Sequence, residues 1–388
     1  MTISPEKLSL LTDGVDTPFY LYNLSLLQKT LDAVKKAASI NDKFHVHYAI
    51  KACADPVVAS MISEAGLGLD AVSGGEIELG VQTGFNPSQI LFAGVGKTDR
   101  EIDIALNIGI GGFNVESLPE LEVISERATA LGKTARIALR INPEIDAHTH
   151  HYITTGLAEN KFGINMSQLN MAVDKALTLP GIEFVGLHFH IGSQITINEP
   201  FALLCERVNG ILDELNKRGI RLQSLNMGGG LAIDYDTPDL NPVPDFKTYF
   251  DTFNNHLDTS AVSEIHFELG RAIMGQCGLL VTRVVYVKEG DTRTFAIVDA
   301  GMTELLRPAL YGARHAIKNI TGILRGDKIR KVDVVGPICE SSDVFGQDYL
   351  IAAPRRGDIL VIESAGAYGQ SMSSHYNCRN ALKPVYSK

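Results

Sequence analysis

The chain has 388 residues, 45% hydrophobic and 21% charged, the balance of an ordinary soluble globular protein with room for two domains. Its formal net charge of −10 argues against a polyanion such as nucleic acid as the main partner, although not against a local basic pocket for a small phosphate. Five scattered cysteines (Cys53, Cys205, Cys277, Cys339, Cys378) form no CxxC pair and are odd in number, which argues against a disulfide framework or structural zinc and favours a reducing cytoplasm.

The opening MTISPEKLSLL lacks a basic n-region and a long apolar h-region, so no signal peptide is read, and no run approaches the length of a membrane span. TPFYLYN (17–23) reads as a strand. FHVHYAIKA (44–52) reads as another, with Lys51 at its end, and a lysine is almost never fully buried unless something pairs with it. Strand-like runs then recur as GLDAVS (68–73), ILFAG (90–94), GGFNVE (111–116), ARIALRINP (135–143), FVGLHFHIGS (184–193), LQSLNMGGG (222–230) and IHFELGR (265–271). Helical patterns lie between them: DPVVASMISEAG, SLPELEVISERATALG and PFALLCERVNGILDELNKRG, the last closing with Lys217, Arg218 and Gly219 as a helix C-terminus should. The longer connections, 144–182 and 231–264, leave room for extra loops.

Eight strands alternating with helices predict an α/β fold, a (β/α)8 TIM barrel, over residues 25–275. A doubly wound open sheet is the alternative, which strand counting does not exclude. After residue 275 the runs LLVTRVVYVKEG, RTFAIVDAG, KVDVVGPIC, DYLIAA and GDILVIESAGAYG have few helix-length gaps. They predict a C-terminal β domain, 276–388, joined by the N-terminal strand segment 1–24.

Barrel enzymes place their chemistry at the carboxyl ends of the strands. Lys51 ends the first strand, Arg140 and Asn142 the fifth, and His188, His190 and Ser193 the sixth. Gly228, Gly229 and Gly230 end the seventh, and Glu268 and Arg271 the eighth. Three glycines let backbone N–H groups approach an anion, and loops after strands seven and eight commonly hold phosphate. Outside a barrel the same triplet is a tight turn. A lysine that attacks a carbonyl, together with a phosphate cradle, suggests pyridoxal phosphate, which has both an aldehyde and a phosphate. Alone, Lys51 reads as an amine reaching solvent along its own stem.

A carboxylate such as Glu268 beside a pyridine nitrogen keeps that nitrogen protonated, an electron sink suited to loss of carbon dioxide from an amino acid. A salt bridge with Arg271 is the plainer reading. In GPICESSD (336–343), Cys339 can give a proton to a carbanion and Glu340 can hold a substrate ammonium, with Asp343 close by; the plainer reading of the cysteine is a small buried hydrophobe. HTHH (148–151) is a weak metal pattern with no carboxylate at metal spacing, and reads as a flexible loop over the barrel mouth with no metal.

Taken in order, YAIKAC, DAHTHHYITTG, KFGI, GLHFHIGSQI, NMGGGLAIDY, FELGRAIMGQCG, VDAGMTELLRPALYGARH, GPICESSD and AGAYGQSMSSHYNCR resemble one family across about residues 17–385. It is the fold-type III pyridoxal-phosphate-dependent decarboxylases, and among them the diaminopimelate decarboxylases. The resemblance implies an alanine-racemase-like barrel plus a C-terminal β-sandwich, with pyridoxal 5'-phosphate on Lys51. His190 would stack on the ring. Ser193, Gly228–Gly230 and the Glu268–Arg271 segment would bind the cofactor, and Tyr368 would touch cofactor and substrate. Arg271, Arg307, Tyr311 and Glu340 match substrate-binding positions, and Cys339 matches the proton donor. It further implies a cytoplasmic homodimer whose Cys339 and Glu340 serve the other subunit's site. The implied reaction is decarboxylation of meso-2,6-diaminopimelate to L-lysine and carbon dioxide, the last step of lysine biosynthesis. ELGR departs from the family's usual Pro at Leu269, a change of local backbone stiffness.

The nearest rival is a decarboxylase of ornithine, lysine or arginine, although such relatives usually have Asp where this chain has Glu340. Racemases of this fold place an arginine at the pyridine nitrogen. A non-catalytic binding relative would lack Lys51 or Cys339, and both are present.

Overall fold

The strand leading to Lys51 ends at Ala49, and Ile50–Ala52 form a single 3-10 turn. Lys51 therefore stands on a turn after the strand rather than on the strand as read from the sequence. The computed structural model describes residues 3–145 and 161–387, so DAHTHHYITTG, with the loop reading of HTHH, lies outside the described residues. The chain divides into two units. One comprises Leu31–Ala232 and Asp245–Gly270; the other takes the chain up to Thr30, Ile233–Pro244, and everything from Arg271 on.

In chain order, β1 (Phe19–Asn23) belongs to the second unit, and β2 (Phe44–Ala49) opens the first. There follow β3 (Gly68–Ala71), β4 (Ile90–Phe92), β5 (Gly112–Val115), β6 (Ala135–Asn142), β7 (Ile164–Asn165), β8 (Ile182–His188), β9 (Ser224–Asn226) and β10 (Glu264–Leu269). Apart from β7, a two-residue appendage on β6, these strands pair in parallel in the order β2-β3-β4-β5-β6-β8-β9-β10. β10 then pairs with β2, Ile265 opposite Phe44 and Leu269 opposite Tyr48, which closes the barrel. An open sheet would leave two free edges; closure removes them.

Parallel strands covered on both faces read as apolar runs rather than alternations, and every residue of β3 and β5 is buried. Both long connections hold a helix as well as loops, Leu169–Thr178 and Phe246–His256. In the second, Phe246, Tyr249, Phe250 and Phe253 form an i, i+3, i+4, i+7 stripe. The stripe packs on β2 and β10: Phe267 meets Phe44 and Phe250 at 5.0 Å and Phe253 at 4.9 Å, edge to face.

The second unit is a mixed β sheet of β1 with β11 (Gly278–Glu289), β12 (Thr294–Val298), β13 (Ile317–Asn319), β14 (Ile329–Val335), β15 (Val344–Ala352), β16 (Ile359–Ile362) and β17 (Val385–Ser387). Its spine is the twelve-residue β11, whose first half pairs with β1 and β16 and whose second half pairs with β12 after a register shift between Val284 and Tyr286. The N-terminal strand β1 pairs with β11 and β17 in this sheet. Phe19, Leu21, Leu279, Val281, Val361 and Ile359 fill its core. No helix among the described residues is long and apolar enough to cross a membrane.

One buried group costs stability. The Tyr249 hydroxyl has no hydrogen-bond partner among the described residues, and burial pushes its pKa far up. Tyr249→Phe should therefore stabilise the protein by about 1 kcal/mol, read as a higher denaturant midpoint. A lower midpoint would show that the hydroxyl is satisfied.

Candidate active site

At the carboxyl ends of the barrel strands, Glu268 is buried at the end of β10. Its Oε1 accepts from Asn226 Nδ2 at 2.8 Å and Asn114 Nδ2 at 3.1 Å, while His188 Nε2 lies 3.2 Å away but off the hydrogen-bond direction. Oε2 has no partner among the described residues. Burial pushes this carboxyl up, but His188 first, then Lys51 and His190, outweigh it and hold Glu268 below the usual carboxylate range.

Lys51 keeps its side chain 39% exposed and sets Nζ 3.3 Å from Asp70 Oδ2. Asp70, on β3, is fully buried, and its Oδ1 has no hydrogen-bond partner among the described residues. Burial, with the charge on Glu268 next, pushes its pKa up to about 7 against the pull of Lys51.

The three glycines lie where no side chain fits. A Cβ on Gly229 would stand 1.8 Å from the Glu268 carbonyl oxygen, and one on Gly228 2.3 Å from that of Phe189. Two of the three N–H groups are used locally: Gly228 donates to Asn226 Oδ1 at 2.9 Å, and Gly229 to His190 Nδ1 at 3.2 Å. The loop thereby orients His190, whose pKa burial, followed by Arg140, pushes down to about 3. Its half-buried ring is neutral. Ser193 is half-buried in the loop after β8.

Arg140 is buried and consumed by Glu116, NH1 lying 2.8 and 3.1 Å from the two carboxylate oxygens. Asn142 Nδ2 has no partner among the described residues. A cavity of about 660 Å³ lies at the other, amino end of the same strands, lined by His45, His47, Arg136, Glu264 and His266 among others. Its polar groups largely answer one another: His47 Nδ1 lies 3.2 Å from the Gln89 carbonyl, His47 Nε2 is 2.9 Å from His266 Nδ1, and His266 Nε2 is 3.5 Å from Glu264. Volume therefore does not mark the chemistry; the unanswered polar atoms at the carboxyl end do.

In the β unit, Arg271 is buried, donates to the Tyr235 hydroxyl at 2.6 Å and lies 4.9 Å from the centre of the Tyr368 ring. Tyr368 has φ 56°, the left-handed region that a non-glycine residue enters only at a cost. Arg307 is buried in the short helix Arg307–Tyr311, which ends at half-buried Tyr311. Cys339 and Glu340 are exposed, and Glu340 Oε1 accepts from the Tyr376 hydroxyl at 2.8 Å. Asp343 instead ties its own loop to the one around Met302, accepting from the N–H groups of Met302 at 2.6 Å and Ile338 at 2.7 Å.

Sequence reasoning passed over Asp70, Asn114, Asn226, Tyr235 and His315. The first three were legible as polar residues inside otherwise apolar barrel strands. The barrel residues fit pyridoxal phosphate: an amine at the mouth, a carboxylate with one oxygen unclaimed, a neutral imidazole, and a loop only glycine can form.

Residues 24–275 match the family model described as pyridoxal-dependent decarboxylase, pyridoxal binding domain. The chain is 52% identical to the diaminopimelate decarboxylase of Bacteroides thetaiotaomicron, over 95% of each. It is 40% identical to that of Aquifex aeolicus, over 97% of this chain and 88% of the relative. Among solved structures it is similar to diaminopimelate decarboxylase from Helicobacter pylori complexed with L-lysine, with 39% identity and a TM-score of 0.92 over 98% of this chain and 94% of the other.

The raised Asp70 carboxyl sets a pH dependence. Its folded pKa of about 7 lies above the unfolded value near 3.9, so the folded state holds the extra proton between them. The contribution of this proton is complete below the unfolded value and is lost as pH rises through about 7. Asp70→Asn removes that slope. In cofactor-free protein, the stability of the variant relative to wild type should rise between about pH 5 and pH 8, by roughly 1 kcal/mol or more. A difference that stays flat across this range, measured by urea unfolding, would count against the assignment.

Proposed function

The chain belongs to the diaminopimelate decarboxylase family of pyridoxal-dependent decarboxylases, and from that premise we propose that it converts meso-2,6-diaminopimelate to L-lysine and carbon dioxide, the last step of lysine biosynthesis. The observation that carries this reading is Glu268, ionised, with Oε1 fully engaged and Oε2 unclaimed. That oxygen suits a protonated ring nitrogen. Pyridoxal phosphate, when bound, supplies an aldehyde to Lys51 and a ring that draws electrons from the bond to the departing carboxylate.

Lys51 must give up a proton before its amine can attack, and Asp70, with its pKa near 7, is placed to hold it. Glu268 would keep a proton on the cofactor's ring nitrogen. His190, neutral, would pack against the ring, and Ser193, Gly228–Gly230 and the Glu268–Arg271 segment would bind the cofactor. Arg271, Arg307, Tyr311 and Tyr368 bind the substrate, with the guanidinium of Arg307 on the carboxylate that remains. Glu340 takes the ammonium, and the thiol of Cys339 delivers the proton that replaces carbon dioxide. Residues 25–275 act as the cofactor-binding domain and 276–388, with 1–24, as the β domain. A reducing cytoplasm suits the exposed thiols Cys339 and Cys378.

Cys339 and Glu340 are exposed in the single chain, a poor setting for a proton donor that must exclude water. A second copy would cover them, and the protein works as a homodimer in which each chain's Cys339 and Glu340 serve its partner.

Purified protein with pyridoxal phosphate should form L-lysine and carbon dioxide from meso-2,6-diaminopimelate, with much lower kcat/KM for ornithine, lysine and arginine. Glu268→Gln should lower kcat about a hundredfold, and Lys51→Ala should abolish both turnover and the visible absorbance of the bound cofactor. Preference for a monocarboxylic substrate, or an unchanged kcat in Glu268→Gln, would overturn the reading.

Mixing Lys51→Ala with Cys339→Ala subunits tests the shared site. Half of a statistical mixture is heterodimer with one good site of two, so about a quarter of wild-type activity should return. No recovery, with heterodimers proven by mass spectrometry, would place Cys339 outside its partner's chemistry.

A further inference from the structure

His315 is fully buried, and both of its ring nitrogens are engaged. Nδ1 lies 2.8 Å from the Glu363 carbonyl oxygen, and Nε2 lies 2.7 Å from Arg307 NH1. A carbonyl only accepts and a guanidinium only donates, so one tautomer fits: Nδ1 carries the hydrogen and Nε2 offers its lone pair to Arg307. A protonated ring would have no lone pair to offer. Burial, followed by Arg307, pushes the pKa of His315 down to about 3, which keeps the ring neutral. The backbone is pinned as well, since the Tyr349 hydroxyl donates to the His315 carbonyl at 2.5 Å.

The face of the Arg307 guanidinium is covered by Tyr235, with the ring centre 4.5 Å away. The same Tyr235 ring meets His315 edge-on at 4.9 Å and 79°. Its hydroxyl accepts from Arg271, so one phenol stands between two cationic side chains. Among the described residues no carboxylate pairs with Arg307, and its Nε is buried without a hydrogen-bond partner. A buried guanidinium left so is costly unless an anion arrives. One terminal nitrogen is tied to His315 and one face is covered, which leaves a single edge for that anion.

We propose that His315 and Tyr235 are positioning residues that aim the free edge of Arg307 at the carboxylate retained by the product, and so set the preference for a dicarboxylic over a monocarboxylic diamine. This rests on the reading that Arg307 binds that carboxylate. Neither residue touches the carbon that loses carbon dioxide. Their effect therefore falls on ligands that carry the second carboxylate and spares those that lack it.

L-Lysine keeps that carboxylate and 1,5-diaminopentane has none, so the two serve as competitive inhibitors of the holoenzyme. His315→Asn removes the acceptor for Arg307. It should raise the Ki of L-lysine and the KM of meso-2,6-diaminopimelate about tenfold, as loss of a charge-assisted hydrogen bond would, with kcat and the Ki of 1,5-diaminopentane changed by less than about twofold. His315→Gln, which can place an oxygen near the position of Nε2, should recover most of the loss. Equal weakening of both inhibitors in His315→Asn would mean a merely structural role, and no weakening would mean that Arg307 needs no positioning; either result overturns the proposal. Arg307→Gln separates the premise from the inference. An unchanged L-lysine Ki there sinks both, whereas a raised Ki with His315→Asn silent sinks only the positioning role.

Discussion

A carboxylate buried at the mouth of an apolar barrel must find enough donors to stay charged, and Glu268 is that carboxylate. Two amides and an imidazole converge on one of its oxygens. Their positions depend on barrel closure. Asn226 comes from the neighbouring strand β9, but Asn114 comes from β5, which meets β10 only because the sheet curls on itself. Once Glu268 holds its charge, a second buried carboxylate nearby cannot ionise cheaply. Asp70 is pushed up by its own burial first and by that charge second, and the Lys51–Asp70 pair becomes a place where a proton is held loosely. The glycine loop owes its course to the same strand end, because any side chain on Gly229 would strike the carbonyl of Glu268.

The β unit solves the opposite electrostatic problem. Arg271 and Arg307 are like charges that lower the cost of neither, and the surroundings supply π faces and lone pairs; among the described residues Arg307 has no carboxylate partner. Tyr235 accepts from one and covers the other, Tyr368 lies against Arg271, and neutral His315 ties down Arg307. Pairing Arg307 with a resident carboxylate would stabilise the fold and at the same time fill the place of the ligand.

Some of the unsatisfied buried polar atoms fall here, while others, such as the Tyr249 hydroxyl, lie elsewhere. Asp70 Oδ1, His188 Nδ1, Asn142 Nδ2 and Arg307 Nε lie in or beside these two clusters. By contrast, the polar lining of the cavity at the amino end of the barrel is largely paired. At these two clusters local stability is given up where a ligand can restore it.

The eight barrel strands, their order and the late β-rich texture were legible in the sequence, because burial on both faces leaves apolar runs that need no partner to be recognised. The nucleophile candidate Lys51, the glycine triplet and Glu268 were legible too, since each stands at or just past the carboxyl end of a strand. Strand ends were less so: Ala49 stops β2 because the chain turns into a 3-10 helix there, a matter of backbone hydrogen bonding that side-chain pattern does not report. The helix Phe246–His256 lies in the long connection 231–264, where the sequence shows room for extra loops, and its aromatic stripe packs on β2 and β10. What only tertiary structure decided is the chemistry of charge. Whether Glu268 is ionised, whether Asp70 keeps its proton, whether Arg140 is free or consumed by Glu116, and which tautomer His315 adopts all depend on partners far along the chain. Sequence names the titratable groups; burial and distance, which exist only after folding, set their charge.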